Sequence, residues 1–248
     1  DREPVESPST PPASPTTNSS AVTPANTAAP TSAFVWILVA YLAAILAATL
    51  VLWQDQVGIS DSVLVRALVA DIVATLVIFG FSIAFSNASF YDAYWSVAPP
   101  FLLVYFLYAQ RMGTDPVWDL RALLLAALVF AWAIRLTHNW ARGWQGLTHA
   151  DWRYVDLAEK TAPLWWLVNL LGIHLMPTIL VFLGCIALQQ SLVPAAAPLN
   201  AIDLLATLVG WSALWIEYKA DNELRDFRLN PANSGQTLAS GVWSWCRH

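Results

Sequence analysis

Between residues 33 and 218 the chain is a succession of apolar runs about as long as a bilayer is thick. A helix needs ~20 mostly apolar residues to cross ~30 Å of hydrocarbon, and Ala33 to Trp53 supplies such a run with no charged residue. Val63 to Phe85 follows, carrying Arg66 and Asp71, and then a shorter run, Val97 to Gln110, opens with Pro99-Pro100. Leu120 to Leu136 is edged by Arg121 and Arg135, Leu164 to Gln189 is interrupted by His174 and Pro177, and Ala201 to Tyr218 closes the series. In lipid every backbone amide must find its partner within its own segment or barrel. This pattern predicts an all-α, polytopic membrane helix bundle with about six spans, embedded in a lipid bilayer.

Composition rules out a soluble globular domain. Of 248 residues, 57% are hydrophobic and 12% charged, against about 25% charged in an ordinary soluble domain. The net charge of −5 says little, because acids and bases are segregated, but no basic patch large enough for nucleic acid appears, and that partner class drops out. Cys185 and Cys246 have neither metal-ligand spacing nor the numbers for a disulfide framework, so two free thiols and no metal are expected. Residues 1–32, rich in Pro, Ser, Thr and Ala as in Ser7-Pro8-Ser9-Thr10-Pro11-Pro12, have too few apolar side chains to offset their conformational entropy. They read as a disordered leader before a membrane domain at 33–248. That leader lacks the basic start and apolar core of a secretory signal.

Lys and Arg concentrate after the fourth run (Arg135, Arg142, Arg153, Lys160) and after the sixth (Lys219, Arg225, Arg228, Arg247). With an even number of crossings these segments share one side, and the bias of basic residues places them, with the N-terminus, in the cytoplasm. Arg111 and Arg121 fall on the opposite side.

Three polar stretches converge on that side. In Asn87 to Ser96 the aromatics Tyr91, Tyr94 and Trp95 fit interfacial anchors, and Asp92 or a serine fits a helix cap. In Arg135 to Trp144, residues Arg135, His138, Asn139 and Arg142 share one helical face. Such a face suits a phosphate or, equally, the snorkelling end of a span. In Glu217 to Arg228, the residues Glu217, Asp221, Arg225 and Arg228 fall in one narrow helical stripe. Asp221 and Arg225 have ion-pair spacing. The stripe begins inside an apolar span, where carboxylates are costly and usually functional. Carboxylates for ribose hydroxyls and arginines for phosphates would suit a nucleotide, and a solvated face held by ion pairs is the plain alternative. His174 and Asp71, both inside spans, read as packed polar groups rather than catalytic ones.

The segments Tyr91-Asp92-Ala93-Tyr94-Trp95-Ser96-Val97-Ala98-Pro99, Arg135 to Gly143, Asp151-Trp152-Arg153-Tyr154, Asp221 to Arg228 and Gly241-Val242-Trp243-Ser244-Trp245-Cys246-Arg247-His248, in this order, resemble the C-terminal domain family of steroid 5-alpha-reductases, in its mostly microbial branch. The resemblance runs from about Ala33 to the end. It implies a membrane bundle of about seven helices that binds NADPH from the cytoplasmic side and reduces a carbon–carbon double bond conjugated to a ketone in a lipid-like substrate. It further implies that His138, Arg142, Glu217, Asp221, Arg225, Arg228, Arg247 and His248 contact the cofactor. Asn139 and Trp95 would lie against the substrate, and Tyr91 or Tyr94 would donate a proton. Asn139 stands where the steroid enzymes place a ketone-binding tyrosine, and Glu217 where they place an amide. The family pattern continues past Arg247-His248 with Pro-Asn-Tyr and a further membrane segment, so a seventh span is expected beyond the residues given. Two other readings are a membrane methyltransferase using S-adenosylmethionine, related to isoprenylcysteine methyltransferases, and a non-enzymatic multispan protein.

Overall fold

The computed structural model describes residues 31–53, 60–111, 120–192 and 198–245. The expected leader therefore lies almost wholly outside the described residues, as do Cys246, Arg247 and His248. Among the described residues eight α-helices follow one another: α1 Thr31–Trp53, α2 Val63–Ala84, α3 Tyr94–Arg111, α4 Leu120–Gly143, α5 Trp152–Thr161, α6 Trp165–Val168, α7 Met176–Leu192 and α8 Ala201–Leu229. The all-helical membrane architecture expected from the apolar runs is what the chain adopts. Among the described residues five helical stretches are long and apolar enough to cross a membrane: Thr31–Trp53, Val63–Ala84, Leu120–Gly143, Trp152–Leu192 and Ala201–Leu229.

The run that opens with Pro99-Pro100 is not among the five. It forms α3, 18 residues long, which at ~1.5 Å per residue reaches about 27 Å. α3 buries one face against its neighbours. Leu102, Leu103, Phe106 and Leu107 are buried in one cluster with Phe182 and Cys185 of α7 and Ala122 of α4. Its two prolines are both buried, while Phe101, Val104 and Tyr108 on its other face are exposed. Cys185 is a free, buried thiol, as expected.

The run interrupted by His174 and Pro177 winds as a π-helix over Asn169–Leu175. The wider turn releases a carbonyl, and His174 Nδ1 lies 3.0 Å from the oxygen of Asn169. His174 has 0% exposure, so it is a packing histidine, as its position in the run suggested.

Helix ends gather at two faces of the bundle. At one, Phe34 at the start of α1 meets Trp140 and Trp144 at the end of α4 (centroids 6.2 and 5.0 Å), and Trp36 meets Phe85 just past α2 (5.0 Å). Arg142 of α4 meets Asn222 of α8 at the same end. At the other face Arg121 opens α4 and Asp203 opens α8, joined through Nε–Oδ1 at 2.7 Å and Nη2–Oδ2 at 2.8 Å. The start of α1 and the end of α8 thus share one end of the bundle.

Candidate functional site

α4 and α8 run parallel in one register. The pairs Arg121–Asp203, Leu128–Gly210, Arg135–Glu217 and Asn139–Asp221 are all 82 residues apart in sequence. The first three repeat every seven residues, the spacing that keeps one seam in contact along two helices. At the aqueous end of this seam Arg135 bridges Glu217 and Asp221. Asn139 donates to the same Asp221 oxygen at 3.1 Å. Arg142 donates to Asn139 Oδ1 at 2.8 Å and, from both terminal nitrogens, to Asn222 Oδ1 at 3.2 Å. The two polar faces legible in the sequence therefore meet. Asp221, which has ion-pair spacing to Arg225, is taken up by Arg135 and Asn139 instead, because α4 supplies a cation that the helix itself cannot aim inward.

In this register Gly143, the last residue of α4, stands level with residue 225 (143 + 82), so α8, which ends at Leu229, overhangs its partner. Arg225 and Arg228 lie on that overhang, in the same stripe as Asp221, and make no ion pair among the described residues. The segment after α8 folds back on the opposite flank of the helix. There the Val242 amide donates to Glu223 Oε2 at 2.9 Å and the Trp243 indole to Ala220 O at 3.0 Å. Gly241, at φ +61°, lies so close to the Glu223 carboxylate that a Cβ would meet it at 2.2 Å.

The second feature is a cavity of about 820 Å³ between α1, α2 and α3. Ala48, Ala67, Ala70, Ala74, Ala98 and Leu102 give it a largely apolar wall. Its outer part is bounded by Trp53, Phe101, Val104 and Tyr108, which are exposed and in a bilayer would face lipid. Its inner end is polar: Tyr94 donates its hydroxyl to Asp71 Oδ1 at 3.0 Å, and Asp71 Oδ2 is buried without a hydrogen-bond partner. Tyr41 also lines this end and is anchored through its hydroxyl to Phe90 O at 3.0 Å.

Tyr91 takes a different place. It lies behind Tyr94, ring centroids 5.5 Å apart, with its hydroxyl 2.8 Å from Thr178 Oγ1. Thr178 spends its own proton on His174 O at 2.8 Å, so it accepts from both Tyr91 and Thr75, the latter at 2.9 Å. Tyr91 does not line the cavity; Tyr94 does. Trp95 points the other way and packs edge-on against Trp132 of α4, centroids 6.0 Å apart. His138 is exposed. Ser96, two residues past Tyr94, lies 3.0 Å from Thr137 Oγ1 of α4. One turn of α3 thus connects the inner end of the cavity to the polar end of α4.

Asp71 is the residue that sequence reasoning passed over. A carboxylate within an apolar run already carries a functional signal, and its partner on α3 supplies what the run alone lacks. Outside the spans, Asp92 accepts from the Tyr154 hydroxyl at 2.6 Å, and burial pushes its carboxyl above the usual range against that bond. Asp151 caps α5 and accepts Arg153 Nε and Nη2 at 2.9 and 2.7 Å, which holds its carboxyl below that range. No group of His, Cys, Asp and Glu able to hold a metal occurs among the described residues.

A family model described as a protein of unknown function, DUF1295, matches residues 78–248. Neither a curated protein nor a solved structure matches the chain.

Proposed function

The chain belongs to the DUF1295 family of proteins of unknown function, and from that premise we propose that it is a membrane oxidoreductase that uses NADPH to reduce a conjugated carbon–carbon double bond in a lipid-like substrate. The observation that carries this reading is the Tyr94–Asp71 pair at the inner end of a largely apolar cavity. Its volume of about 820 Å³ lies within the range of small-molecule sites, ~300–1,000 Å³. A few polar groups converging in an apolar pocket are what orient such a ligand. A substrate carbonyl arriving at that end would take the Tyr94 proton in place of Asp71 Oδ1, which accepts it at 3.0 Å in the free protein. Polarising that oxygen leaves the conjugated β-carbon electron-poor. Tyr94 is the proton donor of choice over Tyr91 because it lines the cavity and Tyr91 does not.

The residues of the α4–α8 overhang fit a phosphorylated dinucleotide. Arg142 lies at the end of α4, and Arg225 and Arg228 lie on the stripe beyond it with no carboxylate paired to them among the described residues. Arginine forks match phosphate oxygens. Asn139, bonded to Asp221 and Arg142, orients this seat rather than touching substrate. Glu217 and Asp221 hold Arg135. NADPH, when bound, supplies the hydride; the chain supplies orientation and a site from which water is excluded. On this reading the end of the bundle bearing the overhang faces the cytoplasm, as the distribution of Lys and Arg suggests.

The test is nucleotide binding by the purified protein in neutral detergent, followed by NADPH oxidation with lipophilic enones. Saturable NADPH binding weakened by Arg228→Ala supports the reading. Preference for S-adenosylmethionine over NADPH transfers it to methyl transfer.

A further inference from the structure

The cavity between α1, α2 and α3 has two chemically different ends, and the reductase reading uses one of them. Along α2 its wall runs from Ala74 and Asp71 at the inner end, through Ala70 and Ala67, to Arg66. Arg66 lies in the first turn of α2, five residues before Asp71. That is ~7.5 Å of rise toward the end of the bundle opposite the overhang. From α1 and α3 the same outer end is lined by Trp53, Tyr105 and Tyr108.

Local structure does not account for a cation at this place. The start of a helix is the positive end of its dipole, where a cation is disfavoured, and the first turn of α2 carries no acidic residue. Arg66 also stands away from the end of the bundle where Lys and Arg concentrate, so the bias toward basic cytoplasmic ends does not place it. Ionisable residues within a span face a cavity or the bundle interior and mark the path of a ligand. Arg66 shares its wall with Ala48, Ala67 and Ala70, and among the described residues Asp71 is the one carboxylate in the lining. The exposed Phe101, Val104 and Tyr108 put one side of the cavity against lipid, so an occupant with a long apolar body reaches it from the bilayer.

We propose that the cavity takes a single-chain lipid acid, its carboxylate resting on Arg66 at the outer end and its apolar body lying along the alanine wall toward Tyr94. A guanidinium matches a carboxylate in charge and in the fork of its donors, and the small alanine side chains leave room for a hydrocarbon chain beside it. This names the substrate class of the reductase reading and rests on that reading for the reducible carbonyl at Tyr94. Binding of the acid itself needs no cofactor.

The experiment uses the full chain in neutral detergent without NADPH, with lipid retention read by native mass spectrometry. The probes are hexadecanoate, hexadecanol and acetate. The acid is expected to be retained about tenfold over the alcohol, the scale of one charge-assisted contact. Arg66→Gln should abolish that preference and leave retention of the alcohol as it was, whereas Arg66→Lys should keep most of it. Ala48→Leu, which narrows the cavity without touching the charge, should lower retention of both lipids. Equal retention of acid and alcohol by the unaltered protein, which needs no variant to read, overturns the proposal and is what an arginine merely snorkelling to the interface predicts. A preference unchanged in Arg66→Gln, or retention unchanged in Ala48→Leu, overturns it by placing the lipid elsewhere. Displacement of hexadecanoate by acetate at equal concentration overturns it in favour of a water-borne anion. The reductase reading fails separately, if NADPH does not bind while the acid is still retained.

Discussion

Leu128 of α4 lies directly against Gly210 of α8, so that a Cβ added to Gly210 would stand 2.5 Å from Leu128 Cδ2 and 3.1 Å from Cδ1. Gly210 sits midway between the Arg121–Asp203 and Arg135–Glu217 ion pairs in the same seven-residue repeat. The missing side chain is what lets α8 approach closely enough for both pairs to form. Small residues at such crossings are how helices pack in lipid, where no hydrophobic drive separates them from their solvent.

Gly210→Ala should be close to neutral in melting temperature, because the helix gains about 1 kcal/mol of propensity while the flexible end of Leu128 yields at about the same cost. Gly210→Leu should cost about 3 kcal/mol, and Leu128→Ala in the same chain should restore much of it. Thermal unfolding of the four proteins in one detergent measures this coupling.

Arg135 neutralises two carboxylates at once, with its side chain 11% exposed. Arg135→Met should cost about 2 kcal/mol, less than a fully buried pair because Glu217 and Asp221 remain partly solvated. Glu217→Gln should cost less than about 1 kcal/mol, since Asp221 still balances Arg135. Chemical denaturation compares the two.

Arg142→Ala and Arg228→Ala should each weaken NADPH binding about tenfold, by loss of a charge-assisted phosphate contact. Glu217→Gln should leave binding within about twofold. Fluorescence titration of the reduced nicotinamide reads all three, and equal losses in all three would sink the assignment of the overhang.

Tyr94→Phe should lower enone reduction about a hundredfold or more, the scale of a positioned acid, with little effect on NADPH affinity. Tyr91→Phe should instead cost about 1 kcal/mol of stability, since it removes a buried hydrogen bond to Thr178, and leave turnover nearly unchanged. Steady-state rates and melting curves separate these outcomes.

Two acids outside the spans should move stability with pH in opposite senses. Asp151 is held below the usual carboxylate range chiefly by Arg153, so its contribution is present above about pH 4 and is lost as pH falls through its lowered value. Asp92 is raised, chiefly by burial; its protonated form is favoured by folding, and stability declines as pH rises from about 4 through its raised value. Asp151→Asn should remove the acid-side loss, and Asp92→Asn should flatten the opposing slope. Melting temperatures between pH 3 and 7 (about the range over which carboxylates titrate) check both signs.

Most of the helices were legible because lipid imposes its rule on each segment separately: a run such as Ala33 to Trp53 must be helical wherever its neighbours lie. The polar stripe Glu217, Asp221, Arg225 and Arg228 was visible for the same local reason, since its spacing depends only on the pitch of one helix. α3 was the harder segment. Its prolines and short apolar run make it look marginal, yet it packs one face against α4 and α7, and its identity as a core element depends on those neighbours.

Partnership belonged to the tertiary structure alone. Nothing in the chain says that Asp221 answers Arg135 rather than Arg225, or that Asp71, passed over as a packed polar residue, meets Tyr94 at the end of a cavity. Those pairs join residues 86 and 23 positions apart, and their formation depends on which helices stand side by side, in which direction and at what height. The sequence by itself determined the segments that cross the membrane and the faces that carry charge, because both follow from local periodicity. Only the packing of helix on helix decided which of those faces meet, because side-chain contact is a property of two surfaces and not of either one.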